Sequence, residues 1–496
     1  MTFSKAWSLN QILGATGGKA VSVSCPDKFM CIRIDSRIIQ PGDVFVAIKG
    51  ERFDGHDFID EVVGKRAGCV IVREDACLSG GAGHGHVEGP VYDPRFFEDH
   101  GTCCVAVPDT LSALGDLAAC LRREAGIPVV AITGSTGKTT TREMTTAICR
   151  RQFETLSTYG NFNNEVGLPL TLFRLTPEHR LAVLELGMNH PGEIRRLSAI
   201  CTPDIGVITN IGPAHLEGLK DVASVAKAKG ELLENIRPNG VAVLNADDEF
   251  SRQLKENANN PVVTFGTSPD AGVRGENIAS RGGKMSFTLV LPDVRTEINL
   301  NVYGAFMVKN ALAAAAGAHS VGIGPENIKA GLETFRAVEG RMMIYETPEG
   351  VYIIDDTYNA NPMSMEAAID ALKGLTGTKR GILVAGDMME LGDASRHYHE
   401  RIGRTAANAH VTRLYLTGSY AAQVAHGAKS AGMESGDIFV GTKTDIVKDL
   451  SGWLRKGDWV LVKGSRSTGM EEIVRQMAKD ARVRSAGHLE TEEPGK

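Results

Sequence analysis

The stretch "AITGSTGKTTTREM", residues 131–144, places two glycines, a lysine and a threonine at the spacing of a loop that holds phosphate. Gly134 and Gly137 let the backbone turn and approach oxygen atoms closely. A helix is expected over 139–150, and its free N–H groups and dipole attract an anion. Ser135, Thr136 and Thr140 complete the cradle. Lys138 supplies a point charge for β- and γ-phosphates, and the Thr139 hydroxyl suits Mg²⁺. The common form, G-x-x-x-x-G-K-[ST], would put its first glycine where this chain has Ile132. The G-S-T-G-K-T core keeps the essential parts, so Ile132 speaks against an ordinary GTPase or kinase, not against a nucleotide.

Such a loop needs oxygen ligands for its metal. Glu185 in "LELGMNHPGEI" and His215 in "TNIGPAHLEG" both stand at expected strand ends, where α/β ligand sites form. "VAKAKGELL" carries Lys227 and Lys229, and its spacing reads as a solvated helix face. Asp355 and Asp356 end an apolar strand in "IIDDTYNANPMSMEAA". Asn359, Asn361 and Pro362 then shape a turn before a helix expected at Ser364. Polar groups at such an end suit a ribose or base; two adjacent Asp equally suit a metal or a helix cap. Arg341 is placed to reach across a cleft, and Ser465 in "VKGSRSTGMEE" stands at an expected helix start.

The elements that must position these groups fall into three blocks of an α/β chain. The first contains the strand-like "DVFVAIKG" and "AGCVIVRE", then a Gly- and His-bearing stretch, 78–101, expected to be a long surface loop. His84 and His86 lie in it, without Cys or acidic companions at ligand spacing, so a loop is favoured over a metal site. In the second block, "PVVAIT", "LAVLEL", "DIGVIT", "GVAVLN" and "PVVTFG" are separated mostly by helical patterns, which indicates a buried parallel sheet. An antiparallel pair, "KMSFTLVL" and "TEINLNVYG", and a small-residue helix, "ALAAAAGAH", follow. The third block, with "VYIIDD", "GILVAGD", "RLYLTGS", "DIFVG" and "DWVLVKGS", reads as a second nucleotide-binding style sheet. Its polar end, "SAGHLETEEPGK", is expected to be disordered.

The whole chain sets bounds. Its 496 residues exceed one core, and a net charge of −6 disfavours a broad nucleic-acid footprint. Neither a secretory signal nor an apolar run of membrane-spanning length is present in the sequence. Nine unpatterned cysteines read as reduced thiols of a cytoplasmic protein.

Nine motifs stand in order: "DSRIIQPGDVFVAIKGERFDGHDFI", "AITGSTGKTTTRE", "GNFNNEVGLPLTL", "ELGMNHPGEI", "TNIGPAHLEG", "AKAKGE", "DDTYNANPMSM", "AGDMMELGD" and "VKGSRSTGME". In these the chain resembles the Mur ligases of bacterial peptidoglycan synthesis over nearly its whole length. The resemblance implies an N-terminal UDP-substrate domain (1–126), a central P-loop ATPase domain (127–338), a C-terminal Rossmann-like domain (339–482) and a tail (483–496). It implies a cytoplasmic, monomeric enzyme using ATP and two Mg²⁺ ions. "DDTYNANP" and "MMELGD" point to the member that joins D-Ala-D-Ala to UDP-MurNAc-tripeptide through an acyl phosphate, giving the pentapeptide precursor.

By motif, Lys138 and Thr139 would hold phosphate and Mg²⁺, and Glu185 and His215 the second Mg²⁺. One lysine of "AKAKGE" would be carbamylated into a carboxylate-like metal bridge, Lys229 favoured and Lys227 the alternative. Asn163 or Asn164 would lie near substrate and phosphates. Arg341, Asp355, Asp356 and Asn359 would reach ATP from the third domain, and Ser465 the substrate. Ser36, Arg37, Asp54 and Gly55 would frame the UDP pocket. One segment departs: the family's G-x-H-N-V-x-N-A-L reads here "GAFMVKNAL", keeping Asn310 but putting Phe306 and Met307 where a polar pair faces adenine.

Overall fold

Runs of Val, Ile and Leu buried on both faces build the sheets of this protein, as parallel strands covered by helices require. The computed structural model describes residues 6–22, 25–77, 91–281, 284–479 and 481–483. They form two compact units: residues 1–129, 156–186 and 196–202, and residues 130–155, 187–195 and 203–496. His84, His86 and the expected tail from residue 484 lie outside the described residues.

In the first unit a five-stranded sheet runs in the order Lys19–Ala20, Cys103–Val107, Cys69–Arg73, Val44–Val46, Ile32–Arg33. All neighbours are parallel except the first pair. Successive side chains feed opposite cores: Val44, Ile71 and Val105 one, Phe45, Val70 and Cys104 the other. The stretch expected to be loop contains a helix, Pro94–Asp99. Asp93 caps it by accepting from Arg95 N, and Pro94 supplies a ready-made first position. The reading of uniformly reduced thiols is also corrected: Cys25 and Cys103 form a disulfide, while the seven other cysteines are free.

In the second unit the strands run Val294–Leu300, Lys284–Leu291, Val273–Arg281, Val262–Gly266, Val241–Asn245, Ile205–Ile208, Val129–Thr133. The last five are parallel, and the expected antiparallel pair forms the other edge. The helix Phe306–Ser320 carries the alanine run, buried nearly all round. Its small side chains let it lie close on the sheet: a Cβ added at Gly317 would stand 3.3 Å from Val207.

A further sheet of the same unit runs Ile438–Val440, Arg413–Leu416, Gly381–Ala385, Trp459–Lys463, Tyr352–Asp356, Met343–Glu346, Arg482–Val483. Its first five strands are parallel, and their register sets Asp356 beside Lys463. Helix Pro362–Thr376 begins two residues earlier than expected, because Asn361 caps it reciprocally with Ser364. No helix among the described residues is long and apolar enough to cross a membrane.

Candidate functional site

The carboxyl ends of both sheets of the second unit open onto one cavity of about 590 Å³. Ser135 to Thr140 follow strand Val129–Thr133, Thr209 and Asn210 follow Ile205–Ile208, and Asp247 and Asp248 follow Val241–Asn245. Asp356 and Lys463 end the two central strands of the other sheet. Ligands of α/β sheets bind at such ends.

The loop is held in shape from beneath. Thr209 Oγ1 donates to Thr136 O (2.6 Å) and Asn210 Nδ2 to Thr136 Oγ1 (2.9 Å), while Thr136 N donates back to Asn210 Oδ1 (2.9 Å). Asn361 Nδ2 donates to Ser135 O at 3.3 Å. Gly137, at φ 78°, is the N-cap of helix Lys138–Cys149, and a Cβ there would stand 2.3 Å from Asn310 Oδ1. Ile132 is buried within a strand that pairs with Val207, so the turn starts two residues later than in the common motif. Lys138 Nζ folds back to Gly134 O at 2.7 Å.

Arg341 Nη2 donates to Thr139 Oγ1 (3.2 Å), with its guanidinium 4.1 Å over the Tyr358 ring. Lys463, fully buried, donates to Asp356 Oδ2 (2.5 Å) and Asn359 O (2.9 Å). Burial holds its ammonium below the ordinary lysine value against the pull of Asp356. On the apolar side, Phe306 is half-buried in the cavity wall with Met307, Phe250 and Met342.

Two of the expected residues lie outside this cavity. Asp355 does not line the cavity: Thr357 donates to its Oδ1 from both N (3.2 Å) and Oγ1 (2.6 Å), and burial raises its pKa. Neighbouring strand residues point to opposite faces, so only Asp356 of the pair faces the loop. Ser465 does not line it either; its Oγ accepts from Met389 N (2.8 Å) and donates to Ala360 O (3.3 Å).

A second cluster forms around His215, whose Nδ1 lies 2.6 Å from Glu390 Oε2. Burial holds the imidazole below its ordinary value, with Lys138 and Lys229 adding to this against Glu390; the His215 contact in turn lowers the Glu390 carboxyl. Lys229 is fully buried, while Lys227 is exposed, which corrects the solvated-face reading at Lys229. Desolvation first, then Lys138, pushes its ammonium well below the ordinary lysine value. Unmodified, it is a poor metal ligand; its neutral amine is the form that adds CO₂ to give an oxygen ligand. A carbamate there, with the Thr139 hydroxyl and the His215 imidazole, would supply a donor set of the kind Mg²⁺ takes. Among the described residues no group of three or more His, Cys, Asp or Glu offers another.

The remaining expected residues lie in the first unit. Glu185 is buried and accepts from Asn163 Nδ2 at 2.9 Å. Asn164 Oδ1 accepts from Gly167 N (2.8 Å) at the start of helix Gly167–Leu172. Ser36 Oγ donates to Glu61 (3.3 Å), just beyond the turn Gly55–Phe58 that Asp54 caps, while the exposed Arg37 is held by Asp35 at 2.7 Å.

Sequence reading missed Lys463, Asn210, Asp248 and Glu390. Lys463 offered one signal, a lysine ending an otherwise apolar strand run. Asp248 offered another, an Asp just after the apolar run "GVAVLN"; in the structure it caps helix Glu249–Glu256 and accepts from Ile211 N at 2.6 Å.

Comparison with known proteins fits this geometry. The family models "Mur ligase family, catalytic domain", "Mur ligase middle domain" and "Mur ligase, glutamate ligase domain" match residues 28–119, 132–318 and 340–466. The UDP-N-acetylmuramoyl-tripeptide–D-alanyl-D-alanine ligase of Escherichia coli (strain K12) is 38% identical over 90% of this chain and 94% of its own. A crystal structure of MurF from Acinetobacter baumannii superposes with a TM-score of 0.85 at 33% identity, covering 96% of this chain and 99% of that one. For MurF ligase from Thermotoga maritima in complex with ADP the TM-score is 0.77 at 27% identity, covering 91% and 97%.

Proposed function

The chain belongs to the Mur ligase family, and we propose that within it the protein joins D-alanyl-D-alanine to UDP-N-acetylmuramoyl-tripeptide at the expense of ATP. The product is the UDP-MurNAc-pentapeptide precursor of peptidoglycan. The observation that carries this reading is the single cavity in which a G-S-T-G-K-T loop meets Arg341, Asp356 and Lys463. Its support beyond geometry is the likeness, over nine-tenths of the chain, to a ligase of that name.

The chemistry follows from charge. The loop N–H groups and Lys138 hold the β- and γ-phosphates of ATP, and an oxygen of the tripeptide's terminal carboxylate attacks the γ-phosphorus as ADP leaves. The D-Ala-D-Ala amine then attacks the acyl carbon, and the tetrahedral adduct collapses to the amide with loss of phosphate. Arg341, on the loop through Thr139, and Lys463 supply positive charge where two anions meet. Bound Mg²⁺, held by Thr139, His215 and a carbamylated Lys229, would neutralise phosphate charge at the same place. Phe306 replaces a polar contact to adenine by a flat apolar one, on which the base stacks. Ser36, Arg37, Asp54 and Gly55 frame the UDP site, and Asn163 and Asn164 lie toward the tripeptide.

The domain division at 126/127 and 338/339 is part of this proposal, and the three family matches each fall within one of its parts. So is a cytoplasmic monomer acting on soluble, nucleotide-linked substrates. The test is phosphate release from ATP by the purified protein. Release is expected only with UDP-MurNAc-tripeptide and D-Ala-D-Ala together; none with both present overturns the reading.

A further inference from the structure

Three observations converge on Glu390, which lines no part of the nucleotide cavity. Its Oε2 stands 2.6 Å from His215 Nδ1, a close contact in which the ring N–H is not aligned as a hydrogen bond. Glu217 N, two residues beyond that histidine, donates to Glu390 O at 3.0 Å, so the two chain segments are joined by backbone as well as by side chain. Finally, both residues of the pair sit in the left-handed region, Glu390 at φ 62° and His215 at φ 56°. Non-glycine residues hold that conformation only where their surroundings over-determine it. Here the surroundings are each other: residues 390–392 rest on helix Leu216–Leu219, with a Cβ at Gly392 only 3.2 Å from Glu217 Cα.

We propose that Glu390 is a positioning residue for His215: a small turn of the ring lets Nδ1–H donate to its carboxylate, which fixes the ring so that Nε2 carries the lone pair. A histidine that ligates a metal commonly gives its other ring N–H to a carboxylate, which sets the tautomer and raises the basicity of the ligating nitrogen. Lys138 and Lys229 are close enough to act electrostatically on this imidazole. The proposal rests on the reading of His215 as a metal-side residue. It adds that the "MMELGD" segment, far along the chain, completes that ligand by orienting it.

The probe is Mn²⁺, titrated by electron paramagnetic resonance into the full-length protein with a non-hydrolysable ATP analogue bound. H215A, E390A and E390Q are compared with wild type, and thermal unfolding is recorded for each. Mn²⁺ affinity and kcat are expected to fall roughly 10- to 100-fold in E390A, with KM for ATP within about threefold of wild type. E390Q is expected to recover part of the loss, because its amide oxygen still accepts from Nδ1–H; it also carries the test should E390A fail to fold. Weakened Mn²⁺ binding in H215A with wild-type binding in both Glu390 variants overturns the positioning role alone. Wild-type binding in H215A overturns both the role and the metal reading beneath it.

Discussion

Replacing Gly137 by alanine perturbs the phosphate loop at its tightest point. Two penalties are visible. An alanine at φ 78° leaves the conformations that L-residues favour, at about 1–2 kcal/mol. Its Cβ would also stand 2.3 Å from Asn310 Oδ1, which must swing off its rotamer for about 0.5–1.5 kcal/mol more. The empty loop escapes both only by giving up the hydrogen bonds from Thr209, Asn210 and Asn361, and the cradle that ATP needs cannot form without restoring them and meeting both penalties again. The cost therefore belongs to the bound state, and the dissociation constant for ATP should rise roughly 10- to 300-fold. Calorimetric titration of ATP into wild type, G137A, N310A and the double variant measures it, with a melting temperature for each empty protein. G137A should melt close to wild type. The double variant should bind more tightly than the two single losses added together predict, since removing Asn310 removes the obstacle. ATP binding within threefold of wild type in G137A, or strictly additive losses, would refute the reasoning.

Other outcomes follow from the same geometry. Lys138→Ala should lower kcat by roughly 10²–10³ or more through the loss of charge at the phosphates, yet leave binding of the UDP substrate within a few fold; equal loss of both would put the two ligands in one site. Lys229, and not Lys227, should carry a carbamate: a ¹³C-bicarbonate NMR signal is expected in wild type and K227A and absent from K229A, and its persistence in K229A would reassign it. Arg341→Lys keeps the charge but loses the planar fork over Tyr358, so kcat/KM should fall roughly tenfold or more, and an unchanged value would make the stacking irrelevant. Asp355→Asn should raise the melting temperature at neutral pH. Burial raises the folded-state pKa of Asp355, so its ionised form costs stability above that pKa and nothing below the ordinary carboxylate value. The gain of the variant should therefore shrink as pH falls toward 4, and a gain independent of pH would exclude this cause.

The phosphate loop was legible because its signal is local: Gly134, Gly137, Lys138 and Thr139 do their work within six residues, and sequence spacing reports it directly. The alternating apolar runs gave the sheets for the same reason. Lys463 was not legible, because what makes it matter is the parallel register that sets it beside Asp356, and register is written in no single strand. Asp355 and Asp356 looked equivalent as neighbours, yet the strand's two-residue period turns one toward Thr357 and the other toward the cavity. Lys227 and Lys229 were misread as one surface for the helical version of the same reason. Residues two apart on a helix are separated by about 200°, so one burying the other's face is the expected outcome. Glu390 lay inside "AGDMMELGD", but nothing in that motif ties it to His215; only the fold brings the two together.

The cavity is closed by groups far apart in the chain: 226 residues separate Asn361 from the Ser135 carbonyl that it steadies. At a synthesis rate of about 5–20 residues per second, the ribosome needs roughly 10–45 s to supply that partner after the loop is made. For most of that interval the nascent protein carries a phosphate loop without Arg341, Asp356 or Asn361, and Lys463 comes about a hundred residues later still. The cavity is therefore assembled late, from residues that the chain supplies only after the loop itself has long been made.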